Sequence, residues 1–242
     1  MSQIKLNSII HPTGTANNIT LDSSGNVTLG GDLIMTSNSL ASPASAGLME
    51  YDGKSLYFTT QGTQRGVVPG MQLFRLGTNL TGLNATGNQN VFGVSVTLSS
   101  NTTYAFETYY TLIKSAGTTS HNVSLGFNGT CTIGYYNFSH YVMNTADGTP
   151  VNNPVYTNRY SGSSYSLPTS ANVVSGSTTS VRLITVFKKG MFNITNGGTL
   201  TPIYSLSAAP GGAYDTESAS YMLIYPVATA NGAANTVIGT WA

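Results

Sequence analysis

The sequence predicts an all-β protein in two parts: an extended amino-terminal β-hairpin and shaft region over residues 1–70, followed by a jelly-roll β-sandwich over residues 71–242. Three observations carry that prediction. Charged residues make up 7% of the chain, against about 25% in an ordinary soluble domain, and Thr, Val, Tyr, Asn and Gly stand where helix formers and charge pairs would be. Apolar and aromatic residues recur with a period of two, cleanly at Phe92, Val94, Val96 and Leu98 and again at Tyr104, Phe106, Tyr110 and Leu112 around Thr108. Turn signals separate such runs, and no helical period of useful length lies between them.

The first element is "NNITLDSSGNVTLGGDL". Ile19 and Leu21, then Val27 and Leu29, face one way while Thr20 and Thr28 face the other, and Asp22 to Asn26 supply the turn. A small-residue connector, "MTSNSLASPASAG", leads to a second hairpin, with Met49 and Tyr51 before a turn at Asp52 and Gly53 and Leu56 and Phe58 after it. Pro69 and Gly70 mark the boundary. Short hairpins are marginal alone, and the apolar content before Gly70 is too small to offset the entropy of ordering that many residues. These eight side chains (Ile19, Leu21, Val27, Leu29, Met49, Tyr51, Leu56, Phe58) are therefore assigned to a shaft wall shared between copies of the chain, which cyclic self-association provides.

From Met71 the runs lengthen. Strands are expected at Phe92–Leu98, Tyr104–Leu112, Val123–Phe127, Thr132–Phe138, Val181–Phe187, Met191–Ile194, Thr201–Leu206, Tyr221–Tyr225 and Val237–Trp241, enough for a two-sheet sandwich or jelly roll. Leu98, Phe106 and Leu183 are assigned to its core. Lys188 and Lys189 read as a solvated hairpin tip, and Met143 to Ser180 as long loops with at most one short strand. The single cysteine, Cys131, reads as a small buried hydrophobe in a strand.

Composition also limits function. Without clustered Lys and Arg there is no electrostatic basis for nucleic-acid binding, and no apolar run suits a signal peptide or a membrane span. His11, His121 and His140 lack metal-ligand spacing, and no Gly-x-Ser-x-Gly occurs. Asp215 and Glu217 sit in a loop-like stretch and read as solvated. The sequence thus predicts no enzyme, cofactor or metal. The segment "YTNRYSGSSYSLP" combines the tyrosine, arginine and small polar residues of adaptable recognition surfaces, so Tyr156, Asn158, Arg159, Tyr160 and Tyr165 are the candidate contacts to a host-surface glycan or protein.

"KLNSIIHPTGTANNITLDSSGNVTLGG" resembles the leading segment of virion and tail-fibre proteins of tailed bacteriophages, particularly marine and cyanobacterial ones. "VTLSSNTTYAFETYYTLIKSAGTTSHNVSLGF" and "YSLSAAPGGAYDTESASYMLIYPV" resemble their carboxy-terminal head. The resemblance implies a homotrimer with a head like the tumour-necrosis-factor jelly roll, docked on other virion proteins through its amino-terminal part. It further implies a virion component made in the host cytoplasm, as a tail or capsid fibre. A capsid decoration protein is the alternative, and a polysaccharide-degrading spike a third.

Overall fold

The structure, a computed structural model, describes residues 8–10, 17–21, 26–29, 32–146, 149–150, 156–162, 167, 169–178, 180–229 and 238. Among them there are strands, turns and no helix, hence no helix long and apolar enough to cross a membrane. The chain is all-β. Val237 and Trp241, Tyr165 and the turn at 22–25 lie outside the described residues.

Strands β1 (Ser8–Ile10), β2 (Asn17–Leu21) and β3 (Val27–Leu29) form one antiparallel sheet, with Ile19 opposite Leu29 and Leu21 opposite Val27. A second sheet joins β4 (Met49–Tyr51), β5 (Leu56–Thr59) and β6 (Arg65–Val68). Its first turn is built by Asp52, whose Oδ1 accepts from the Lys54 and Ser55 amides at 2.8 and 2.7 Å, while Gly53 takes a positive φ of 91°.

One face of this second sheet covers itself. Ser55, Tyr57 and Thr59 are buried together with Ala44 of the preceding segment. That segment is fastened by Gly47 N to Thr59 O at 2.8 Å and by Arg65, which pairs with Glu50 at 2.8 Å and donates to Ala41 O at 2.6 Å. The expectation that the leading region builds no core of its own therefore needs amending. Hydrogen bonds and a half-buried ion pair close a small polar centre that counting apolar residues does not reveal.

The remaining strands form a sandwich. In chain order they are β7 (Gln72–Arg75), β8 (Leu80–Thr81), β9 (Gly87–Asn90), β10 (Val96–Leu98), β11 (Thr102–Lys114), β12 (His121–Gly129), β13 (Thr132–Ala146), β14 (Thr149–Pro150), β15 (Tyr156–Gly162), β16 (Thr169–Ser177), β17 (Arg182–Asn196), β18 (Gly198–Leu206), β19 (Asp215–Thr216) and β20 (Tyr221–Thr229). The small sheet runs β9 and β10, β18, β12, β16; the large one runs β15, β13, β17, β11, β20, β7, with short β14, β19 and β8 at its margins. With β9 and β10 counted as one broken strand, the eight principal strands follow the order 1-8-3-6 facing 2-7-4-5. That is a jelly roll, with β20 and β7 added to one edge of the large sheet. The break between β9 and β10 falls beside Pro202, which has no amide to donate.

The core lies between the sheets, where Tyr104, Phe106, Tyr110 and Leu112 of β11 are buried as their alternation predicts. Phe106, Phe127, Phe138 and Phe192 form its centre, their ring centroids 5.1–6.2 Å apart. Gly190 makes this packing possible. It sits in register between Phe106 and Phe138, and a Cβ there would strike the Phe138 Cβ and the Asn137 carbonyl.

Several sequence expectations are corrected. Residues 182–196 form one strand, so Lys188 and Lys189 lie mid-strand rather than at a hairpin tip, and Lys188 is buried. Leu183 lies on the outer face, because even-numbered residues of β17 point inward and Leu183 is only partly buried. Met143 to Ser180 contains the end of β13 and the paired strands β15 and β16, whose Thr, Ser, Asn and Tyr composition hides them from an apolar count. Phe92 to Ser95 is irregular, and only Val96–Leu98 is strand. Cys131 is buried but sits in the connection before β13. Asp215 lies in β19, paired with β8 and β11.

Candidate functional site: the outer face of the large sheet

Antiparallel register places directly opposed residues on one face. Across β7, β20, β11, β17 and β13 it aligns Arg75, Tyr221, Tyr109, Phe187 and Tyr141 into a single outward row. The next row is Leu73, Leu223, Glu107, Lys189 and Ser139, and the one after it holds Tyr225, Ala105, Met191 and Asn137. At ordinary strand and residue spacings these rows cover about 24 Å by about 20 Å.

The face is ordered by its own contacts. Tyr109 and Tyr221 stack with ring centroids 6.2 Å apart and planes at 23°. The Tyr221 hydroxyl donates to Glu107 Oε1 at 2.8 Å, and this bond holds the phenol's pKa above its ordinary value. Lys189 lies opposite Glu107 in register and over the Phe187 ring at 5.9 Å. Tyr109, Tyr141, Met143 and Met191 are each about 40–50% exposed, and a groove of about 600 Å³ runs between Met71, Glu107, Ser139, Lys189, Met191 and Tyr225. The face thus mixes five aromatic and several aliphatic side chains with Arg75, Glu107 and Lys189, the last two opposed in register. Among the described residues no group of three His, Cys, Asp or Glu side chains is placed to hold a metal.

A second apolar face lies on the sheet β4–β6, opposite its self-covered side. Met49 pairs with Phe58, and Tyr51 with Leu56, which is itself opposite Val68. Met49, Phe58 and Val68 are exposed there, while Tyr51 and Leu56 are half-buried. Four of the eight shaft candidates thus share one uncovered face. In the first sheet Val27 and Leu29 are exposed, opposite Leu21 and Ile19.

Four of the receptor candidates, Tyr156, Asn158, Arg159 and Tyr160, lie on β15, which pairs with β13 at one edge of the large sheet so that Asn158 is opposite His140, Arg159 opposite Ser139 and Tyr160 opposite Phe138. The aromatic row itself is absent from the sequence reading. Tyr109, Phe187, Tyr221 and Tyr141 come from four distant segments, and only the pairing register joins them. The available signal is the presence of Leu183, Phe187 and Met191 at every fourth position of β17, on the side opposite Ile184, Val186, Phe192 and Ile194.

At the end of the sandwich where β11 stops and β17 begins, Lys114 and Arg182 are buried and directly opposed. Lys114 donates to Gly117 O at 2.6 Å and Arg182 to Asn144 Oδ1 at 3.2 Å. His121 Nδ1 meets Thr119 O at 2.7 Å and so carries the proton, which leaves Nε2 to accept from the Tyr214 hydroxyl at 2.8 Å. Burial holds the His121 pKa below its usual value, in keeping with this neutral tautomer.

No family model matches the chain, and no curated protein does. A solved structure described as "Structure of infectious bursal disease virus Gt strain" aligns with 92% of this chain and 53% of its own, at 10% identity and a TM-score of 0.11. This chain spans about half the length of that one, and a likeness this low carries no argument about fold or function.

Proposed function

We propose that this chain is a non-enzymatic structural protein that works as a cyclic homo-oligomer, with the outer face of the large sheet and the open face of β4–β6 buried between copies. The observation that carries the reading is the outward side of β17, which bears Leu183, Phe187 and Met191 among Thr185 and Lys189, while its inward side sets buried Arg182 and Lys188 among the core residues Ile184, Val186, Phe192 and Ile194. A strand reads as apolar on its outer side when that side also meets protein. The bacteriophage-fibre resemblance of both ends supports a trimeric virion fibre whose head meets a host-surface glycan or protein and whose amino-terminal part docks on other virion proteins.

The mass of the intact full-length particle in solution tests the assembly: a trimer is expected, and a stable, fully folded monomer overturns it. The host contact is tested separately. Replacing Arg159, which is opposite Ser139 in register, with alanine is expected to weaken adsorption of virions carrying the protein while the particle mass stays the same; unchanged adsorption removes Arg159 from the contact.

A further inference from the structure

We propose that Lys188 and His140 form an acid-sensitive latch inside the sandwich, whose protonation loosens the packing of the large sheet on the small one.

The geometry comes first. Lys188 and His140 are directly opposed on β17 and β13, and each is 1% exposed. The Lys188 ammonium position lies 4.4 Å from the centre of the Phe127 ring, on the small sheet, and 5.6 Å from that of Phe138. It thus sits at the contact between the sheets, against the phenylalanine cluster that joins them.

Among the described residues the surroundings are poor in charge. On β11 the residue opposite Lys188 is Thr108, whose hydroxyl donates to Tyr221 O at 2.9 Å, and the buried phenol of Tyr110 lies one inward position further along. Glu107 and Lys189 belong to the outer face. β13 contributes His140 between Phe138 and Val142, and β12 contributes Phe127 and Leu125. Beside β12 in the small sheet, β16 has no titratable residue and β18 carries buried Tyr204 opposite Leu125, while β15, beyond β13, carries Tyr156, Arg159 and Tyr160. A cation–π contact offsets only part of the cost of a buried ammonium.

The titration directions agree with this geometry. Burial lowers the Lys188 pKa to about 7 from its model-peptide value of 10.5. Burial, with the Lys188 charge behind it, lowers that of His140 to about 3 from 6.5. Both folded values lie below the unfolded ones, so the unfolded chain binds more protons in each window and stability falls as pH falls. The Lys188 contribution is lost between about 10.5 and 7, and that of His140 between about 6.5 and 3.

Thermal unfolding of the full-length protein at fixed concentration, followed from alkaline to acid pH, tests this. The Lys188→Met variant is expected to abolish the decline in the upper window alone, and His140→Gln that in the lower window alone. Profiles of both variants parallel to that of the parent overturn the latch. Should Lys188→Met fail to fold, side-chain carbon NMR of the lysines in the parent decides: one lysine titrating near neutrality supports the latch, and all of them titrating near 10.5 overturns it.

Discussion

Both faces of the large sheet mix apolar with charged residues, but in different company. Its inner face combines an aromatic and aliphatic core with Lys114, Arg182, Lys188 and His140, all buried. Its outer face carries a row of four aromatic residues ending at Arg75, with Glu107 and Lys189 opposed in the next row. Polarity alone does not tell which side of a strand faces the core when charged and apolar side chains stand on both. β17 shows this within one element, and the most informative experiments act on its two sides separately.

The largest effect is expected on the outside. Changing Phe187 and Met191 together to aspartate introduces two charges into a face proposed to be dry. Removing one central interface side chain typically costs about 2 kcal/mol or more, so the pair should lower association by on the order of 10³-fold. The particle mass should fall to that of a folded monomer with its β circular-dichroism spectrum intact. An unchanged mass would place the interface elsewhere. A smaller effect of a different kind is expected on the inside, from Gly190→Ala. The new Cβ strikes Phe138 and the Asn137 carbonyl, and overpacking of this sort costs about 1–3 kcal/mol. It should appear as a lower urea midpoint with an unchanged slope. If the variant were as stable as the parent, the phenylalanine cluster would be looser than its ring contacts imply.

How much of this was legible in the sequence follows from the same contrast. β11 was read correctly because its inward residues Tyr104, Phe106, Tyr110 and Leu112 are large and apolar or aromatic and its outward residues include Glu107 and two threonines. β17 was misread because its inward residues include Arg182, Lys188 and Gly190. An adjacent pair of lysines followed by glycine has the look of a turn, and only burial corrects it. β15 and β16 were passed over because hydrogen bonding to β13 and β12, rather than side-chain pattern, makes them strands. The Met49–Phe58 hairpin was legible because its turn chemistry, Asp52 and Gly53, is local. The aromatic row was not, since no local rule brings residues 109, 141, 187 and 221 together.

The smallest change gives the sharpest comparison. Tyr221→Phe removes one hydroxyl from the outer face and leaves the stack on Tyr109 in place. On a face washed by water the loss should fall within about 0.5 kcal/mol, as for most surface substitutions. On a face sealed between copies, Glu107 would lose a donor that water does not replace, and the cost should rise to about 1–3 kcal/mol. The tyrosine pKa is raised by this bond, so the stabilisation is fully present below the unfolded value near 10 and is lost as pH rises through the folded value. Urea midpoints of Tyr221→Phe should therefore be compared in the parent and in the Phe187→Asp, Met191→Asp background, at neutral and at high pH. A large cost in the parent at neutral pH that shrinks in the monomeric background and again at high pH places the hydroxyl in a sealed interface. A small cost common to both backgrounds would show the aromatic row to be solvent-facing and the proposed assembly to leave it uncovered.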